Sequence, residues 1–127
     1  MSILGFVAVA VGAVLGAWLR WAFGIWLNPI FPTVPLGTLS ANLLGGLIIG
    51  GVMSAADPLG FPPAVRLLIV TGFLGGLTTF STFSAETTTL LLQARYGWAA
   101  ATIALHVVGS LSMTALGVVL IRTQLGK

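Results

Sequence analysis

The sequence predicts an all-α membrane protein with four transmembrane helices. Apolar residues make up 57% of the 127 residues and charged residues only 6%, whereas about 25% of the residues in a soluble domain are charged. The mean hydropathy is +1.12. At about 20 residues per span, the chain has room for four helices with short loops. We therefore expect residues 1–127 to form a single four-helix transmembrane domain.

The first two spans are bounded by clusters of proline. The first apolar run covers residues 3–27 and stops at Asn28-Pro29, because proline disfavours continuation of a helix. The second run covers residues 36–56 and stops at the turn-rich segment 57–63. These boundaries predict two helices joined by a short loop.

The third span is too long for one straight helix. It covers residues 64–95, and 32 helical residues would extend about 48 Å, against a hydrocarbon core of about 30 Å. A break near residues 75–79 would remove the excess. The fourth span covers residues 98–121, and Arg122 and Lys127 follow it as interfacial charges.

The composition argues against several classes of protein. The chain has no cysteine, which excludes disulfides and thiolate metal sites. The five basic residues are scattered, so we expect no nucleic-acid partner. The single histidine and two acidic residues give no set of nucleophile, base and orienting group. We therefore expect that the protein is not an enzyme.

The basic residues are divided almost evenly between the two sides of the membrane. Arg66, Arg122 and Lys127 lie on the side of the chain ends, and Arg20 and Arg95 lie on the other. Because lysine and arginine asymmetry orients membrane proteins, three against two predicts insertion in both orientations. The alternative is that one extra charge orients every copy.

Three pairs of glycines at spacing i, i+4 each place two small residues on one helix face, where backbones approach closely. The pairs are Gly12 and Gly16, Gly46 and Gly50, and Gly72 and Gly76. Together with dual orientation they suggest an antiparallel homodimer, comparable to the inverted repeats of transporters. They are equally compatible with packing inside one subunit.

Polar residues form stripes within two of the apolar spans. Thr38 and Asn42 share a face of the second helix, while His106, Ser110 and Thr114 share a face of the fourth. An intramembrane asparagine often only links helices, and a threonine can bond its own i−4 carbonyl. Their alignment favours a polar pathway.

The segment 72–83 contains three glycines, four hydroxyl residues and three phenylalanines. Phe80 and Phe83 share a helix face, and the hydroxyls of Ser81, Thr82 and Ser84 are interleaved with them. Aromatic rings have positive edges, so two rings presented edge-on attract a small anion without a full charge. This combination suits an anion that must bind and leave again.

These motifs resemble the small bacterial fluoride channels of the Fluc (CrcB) family across all four spans, most specifically in residues 75–83. The resemblance implies a dual-topology antiparallel homodimer in the bacterial inner membrane, with two pores that export fluoride passively. It implies that Phe80 and Phe83 line the fluoride pathway and that Asn42 donates to the ion. It also implies a structural Na⁺ at the dimer centre, bound by backbone carbonyls of Gly75 and Thr78.

The resemblance assigns roles to further polar residues. Arg20 would draw anions into a vestibule, and Glu86 would be the carboxylate near the pore mouth. The remaining polar residues of the implied pathway are Thr38, Ser81, Thr82, Ser84, His106, Ser110 and Thr114.

Two other functions remain open from the sequence. A proton-coupled small multidrug exporter would also dimerise antiparallel, and only Glu86 could serve as its membrane carboxylate. A helical subunit of a larger complex would leave the polar stripes without a purpose.

Overall fold

The computed structural model describes residues 1–126, and its regular structure in that range is entirely helical. Four helical spans are long and apolar enough to cross a membrane. They are Ile3–Ile30, Leu36–Ala55, Pro63–Leu92 and Tyr96–Gln124. This confirms the predicted all-helical fold with four membrane-capable helices. Lys127, counted in the charge argument, lies outside the described residues.

The first hairpin is formed by helices α1 (Ile3–Leu27) and α2 (Leu36–Ala55). A 3₁₀ turn, Asn28–Ile30, ends α1 at the predicted proline. The side-chain oxygen of Asn28 then accepts the backbone N–H of Gly37 at 2.7 Å. This bond satisfies one of the free N–H groups at the start of α2, so Asn28 ties the end of one helix to the beginning of the next.

The third span is composed of several helical segments. They are α3 (Pro63–Arg66), a π-helical segment (Leu67–Leu74), α4 (Gly75–Leu77) and α5 (Phe80–Leu92). Between α4 and α5, Thr78 (φ −83°, ψ 153°) and Thr79 (φ −148°, ψ 117°) have extended backbone conformations. The hydroxyl of Thr79 accepts the N–H of Thr82 at 3.1 Å and caps the start of α5.

The third span ends earlier than the sequence predicts, at Leu92, and helix α6 begins at Tyr96 and continues to Gln124. The N–H of Arg95 bonds to the carbonyl of Leu90, and Ala94 has φ 55°. This is the Schellman pattern of a helix end, in which glycine usually occupies the left-handed position. Because alanine occupies it here, the predicted boundaries of 95 and 98 were wrong by two or three residues.

The glycine pairs bring the helices of one subunit into backbone contact. Helix α1 packs on the π-helical segment and α4, while α2 packs on α6. A Cβ on Gly12 would meet the Leu68 carbonyl, and one on Gly50 would meet the Thr114 carbonyl. Gly72 and Gly76 likewise face α1 closely. Of the two alternatives left by the sequence, the structure favours packing inside the subunit.

The loop between α2 and α3 carries an ion pair. The guanidinium of Arg66 lies 2.7 Å from the carboxylate of Asp57, whose side chain is largely exposed, while that of Arg66 is partly exposed. Arg66 also donates to the carbonyl of Phe61 at 3.1 Å. The two charges therefore partly offset each other at one end of the four-helix domain.

Candidate functional site

Two hydrogen bonds from the side chain of Asn42 connect α2 to the extended residues of the third span. The side-chain oxygen of Asn42 accepts the N–H of Thr79 at 2.7 Å, and its nitrogen donates to the carbonyl of Thr79 at 3.0 Å. The N–H of Thr79 lacks a helical partner because the chain is extended there, whereas its carbonyl is the N-cap carbonyl of α5 and already accepts a helical N–H. Asn42 supplies the acceptor for that N–H, as a buried backbone group in a membrane requires, and adds a second donor to the carbonyl.

The same amide also contacts α6. The Asn42 side-chain nitrogen lies 3.0 Å from Nδ1 of His106. An amide nitrogen has two hydrogens, and here one faces the Thr79 carbonyl and the other faces the imidazole. The resemblance assigns an Asn42 donor to the ion, but in this geometry both amide hydrogens are directed at protein acceptors.

Two backbone carbonyls near the extended residues lose their usual helical donors. The N–H of Thr79, which would bond to the Gly75 carbonyl in a continuous helix, bonds to Asn42 instead. The N–H of Thr82, which would bond to the Thr78 carbonyl, bonds to the Thr79 hydroxyl. The carbonyls of Gly75 and Thr78 are therefore available to another ligand.

Arg20 lies beside this segment. Its Nε donates to the carbonyl of Gly76 at 3.0 Å. The hydroxyl of Thr78 donates to the carbonyl of Leu74 at 2.8 Å. These two contacts provide donors to the carbonyls of Gly76 and Leu74, on either side of Gly75. Neither of them provides a donor to the Gly75 carbonyl.

The first cavity brings together predicted site residues from three spans. Its volume is about 310 Å³. It is lined by Asn42, Thr78, Thr79, Phe80, Phe83, His106, Val107 and Ser110. Five of the predicted pathway residues thus surround one space, on the face of the subunit where α5 and α6 meet α2.

Three aromatic rings follow one another along the wall of this first cavity. The ring centroids of Phe80 and Phe83 lie 5.5 Å apart at an interplanar angle of 65°. Those of Phe83 and His106 lie 4.6 Å apart at 34°. Phe83 is 8% exposed, whereas Phe80 is 77% exposed on the subunit surface. In a pair at this angle the edge of one ring faces the other ring, and both rings line the first cavity.

The second cavity contains the predicted vestibule residue. Its volume is about 390 Å³. It is lined by Ala17, Arg20, Trp21, Gly24, Ile25, Asn28, Thr38, Thr79 and Thr82. Thr79 lines both this cavity and the first, so both spaces border the extended segment.

Glu86 lies in a third cavity, of about 290 Å³, which Thr33 and Arg95 also line. The hydroxyl of Thr38 donates to one oxygen of the Glu86 carboxylate at 2.5 Å. The Arg95 guanidinium lies 3.4 Å from the Thr33 hydroxyl. Thr38 therefore connects the second cavity, which it lines, to the carboxylate of the third.

Three further hydroxyl residues of the predicted pathway, Ser84, Ser81 and Thr114, lie outside the second and third cavities and the lining of the first. Ser84 lines a further surface cavity of about 350 Å³ with Phe80, Phe83 and Thr87. The Ser81 hydroxyl lies 3.3 Å from that of Thr79. Thr114 is different, because its hydroxyl contacts the carbonyls of Gly46 and Ser110, both at 3.0 Å. Its hydrogen bonds thus link α2 to α6.

Thr79 and Asn28 were missed as site residues by the sequence analysis. Thr79 caps α5 and is bonded to Asn42. Its position directly before Phe80, at the start of the second half of the third span, could have indicated the cap. A threonine at such a place is a common helix N-cap. Asn28 was taken only as the end of the first span, and nothing in the sequence indicated that its side chain reaches α2.

The fold and the cavities define a multi-pass membrane protein with polar groups gathered inside its helical bundle. Residues 7–118 match the family described as CrcB-like protein, Camphor Resistance (CrcB). The chain is 55% identical over 123 residues to the fluoride-specific ion channel FluC of Nitrosospira multiformis, covering 96% of both chains. It is 58% identical over 118 residues to the FluC of Cupriavidus taiwanensis, covering 92% of this chain and 94% of that one.

A third relative, the fluoride-specific ion channel FluC of Pseudomonas syringae pv. maculicola, is 60% identical over 111 residues, or 86% of this chain and 87% of the relative. The chain belongs to the CrcB family. The family is one of ion channels and not of enzymes, which confirms the predictions of family and class. In bacteria, a multi-pass protein of this family lies in the inner membrane.

Proposed function

We propose that the protein is a fluoride-selective ion channel through which fluoride leaves the cytoplasm passively. The relatives at 55–60% identity carry the name of such a channel, and they match nearly the whole chain. The single observation in the structure that supports this function best is the first cavity. It combines two aromatic rings and several hydrogen-bonding side chains with no charged side chain in its lining.

The chemistry of that cavity suits a small anion in transit. A lysine or arginine in the lining would hold the anion strongly, whereas conduction requires binding that is weak enough to release. Ring hydrogens, hydroxyls and an imidazole N–H attract an anion through partial charges only. We propose that the ion passes from the Arg20 cavity, past Thr79, to Phe80 and Phe83.

We further propose that two antiparallel copies form the channel and that each dimer has two pores. The first cavity opens on the subunit surface and Phe80 is 77% exposed beside it. A second copy placed on this face would close the pathway and cover the ring. The near balance of basic residues supports insertion in both orientations. A C-terminal tag found on only one side of the membrane would contradict the dual topology.

The proposed dimer would hold a structural Na⁺ at the carbonyls of Gly75 and Thr78. Both carbonyls have lost their helical donors, and unwound backbone carbonyls inside a membrane are suitable ligands for Na⁺. Within residues 1–126, no group of three or more His, Cys, Asp or Glu side chains comes together, so backbone oxygens fit the role better than side chains. When bound, the ion would supply positive charge that offsets the cost of an anion nearby.

The proton-coupled exporter that uses Glu86 remains the alternative. Such an exporter needs the carboxylate to bind cationic substrate and protons in turn. In the structure one carboxylate oxygen is bonded to Thr38, and Arg95 lines the same cavity. A basic residue in the lining disfavours a cationic substrate there, so no observation favours this function over the channel.

The experiment that tests the proposal is fluoride efflux from liposomes that contain the purified protein. A fluoride electrode records the loss of fluoride, and a matched experiment records chloride. We expect rapid fluoride loss without a proton gradient, while chloride is retained. If a folded protein in Na⁺ releases no fluoride, the channel proposal is wrong and export coupled to Glu86 becomes the next hypothesis.

A further inference from the structure

The third cavity contains two opposite charges that do not pair with each other. Glu86 and Arg95 both line its space of about 290 Å³, yet the only ion pair among residues 1–126 is the one at the loop between α2 and α3. The Glu86 carboxylate instead accepts the hydroxyl of Thr38, and the Arg95 guanidinium contacts the hydroxyl of Thr33 at 3.4 Å. The positive charge of Arg95 is therefore not neutralised by a carboxylate.

The backbone of Arg95 is held between two helices. Its N–H bonds to the carbonyl of Leu90 at 2.8 Å at the end of α5, and its carbonyl accepts the N–H of Ala99 at 3.0 Å at the start of α6. The loop between α1 and α2, which forms the facing wall of the cavity, packs on α6 through the rings of Phe31 and Trp98, whose centroids lie 5.5 Å apart. The exposed side chain of Arg95 is therefore attached to a fixed point of the third cavity.

The third cavity adjoins the second cavity through Thr38. This residue lines the second cavity, and its hydroxyl bonds to the Glu86 carboxylate in the third. Both cavities lie toward the end of the bundle where α1 and α5 end, and Arg20 lines the second. An anion that approaches Arg20 from this end therefore also meets the electric fields of Glu86 and Arg95.

We infer that Arg95 attracts fluoride to this end of the bundle and offsets the repulsion between the arriving anion and Glu86. Charged groups that line a cleft raise the local concentration of ions of opposite sign, and with it the rate at which those ions are captured. Because Arg95 is exposed and has no carboxylate partner, its charge acts on ions in the surrounding water. Arg95 thus increases capture without selecting between anions. This inference rests on the proposed channel function.

The test is the single-channel fluoride conductance of Arg95→Gln in planar lipid bilayers. Glutamine keeps a donor for the Thr33 hydroxyl and removes the charge. At low fluoride, where capture limits the current, and in about 10 mM salt, where the Debye length is about 30 Å, we expect the conductance to fall about threefold. At saturating fluoride it should equal that of the wild type. In about 1 M salt, where the Debye length is about 3 Å, the difference at low fluoride should disappear.

Arg122→Gln is the charge-matched control. Arg122 is exposed in the last turn of α6, at the other end of the subunit, and it lines none of the three cavities. We expect its conductance at low fluoride to be unchanged, and Arg95→Lys, which keeps the charge, should restore the conductance lost in Arg95→Gln. An equal loss in Arg95→Gln and Arg122→Gln, or a loss in Arg95→Gln that persists in 1 M salt, would overturn the inference.

The relation of Arg95 to Glu86 is tested by removing both charges. In Glu86→Gln combined with Arg95→Gln the repulsion and the attraction are both lost, so we expect the conductance at low fluoride to return toward the wild-type value. A double variant that conducts as poorly as Arg95→Gln would contradict the offset. If the wild type carries no fluoride current, the proposed function itself fails. If the wild type conducts and Arg95→Gln equals it at low fluoride and low salt, only the capture role fails.

Discussion

Asn42 and Thr79, 37 positions apart in the chain, are joined by two hydrogen bonds at the extended segment. One side chain thereby bonds both the backbone N–H and the backbone carbonyl of a single residue. In a membrane, where water is not available to do so, this allows the chain to leave the helix between α4 and α5. The same amide also contacts His106, which lies against Phe83, so the packing at the extended segment and the chemistry of the first cavity depend on each other.

Removing the Asn42 amide should destabilise the protein and stop conduction. Asn42→Ala loses the two bonds to Thr79 and the contact with His106, and interhelical hydrogen bonds in membranes contribute about 0.6 kcal/mol on average and up to about 1.7. We expect a loss of about 2 kcal/mol in the free energy of unfolding, measured by chemical denaturation in detergent. Ser40→Ala, on the same helix, is the control and should be nearly neutral. Equal stability of the two variants would show that the Asn42 bonds are not formed.

Crowding the proposed cation site should weaken the response of the protein to Na⁺. A Cβ added at Gly45 would overlap the Thr78 methyl group, so Gly45→Ala should displace the Thr78 backbone. We expect Na⁺ to raise the thermal stability of the wild-type dimer relative to an organic cation, because a ligand that binds only the native state stabilises it. Gly45→Ala should lose most of this difference.

Gly51→Ala is the matched control for that experiment. Its new Cβ would lie 3.4 Å from a side-chain carbon of Ile121, an ordinary contact. The Na⁺ response should therefore be retained in Gly51→Ala. If wild type and both variants respond to Na⁺ and to the organic cation alike, the carbonyls of Gly75 and Thr78 bind no structural ion.

Neutralising Glu86 should leave fluoride efflux intact or increase it. In Glu86→Gln the amide oxygen can still accept the Thr38 hydroxyl, and the negative charge that repels an arriving anion is gone. The measurement is liposome efflux with a fluoride electrode. Asp57→Asn removes the other acid of the chain, which is paired with Arg66 at the protein surface, and should leave efflux unchanged. Loss of efflux in Glu86→Gln alone would mean that transport depends on the carboxylate.

The close contact between α1 and the third span should tolerate no added carbon. A Cβ at Gly12 would meet backbone atoms of Leu68 and Phe73, and backbone cannot rotate away as a side chain can. We expect Gly12→Ala to lower the free energy of unfolding by about 1–3 kcal/mol. Gly97→Ala, where the new carbon meets nothing within 4 Å, should instead raise it by about 0.5–1 kcal/mol through better helix propensity. The same effect at both positions would contradict the packing.

The four spans were predictable because their signals are local. Apolar runs of membrane length and the proline clusters at Pro29 and Pro58 are read directly from the sequence, and three of the four helices begin within one residue of the predicted position. The end of α5 was not predictable, because Ala94 adopts the left-handed conformation that glycine usually adopts at a helix end. A Schellman turn without glycine leaves little trace in the sequence.

The members of the candidate site were predictable, but their pairing was not. The polar stripe of α6 and the phenylalanines of α5 follow from spacing of three and four residues. Which atom of Asn42 meets which partner depends on how α2, α6 and the extended segment pack. For the same reason, the sequence could not show that Asn42, which the family resemblance makes a donor to the ion, directs both of its amide hydrogens at protein acceptors.

The central claim is that fluoride passes the edges of Phe80 and Phe83, and the measurement that tests it most directly is fluoride efflux from liposomes that contain Phe83→Ile. Isoleucine keeps an apolar side chain and removes the ring edge. Phe6→Ile, at a ring that is 61% exposed on α1, controls for loss of any phenylalanine. We expect a folded Phe83→Ile dimer to release fluoride at least tenfold more slowly than the wild type, about 1.4 kcal/mol, while Phe6→Ile matches the wild type. Undiminished efflux through Phe83→Ile would contradict the account.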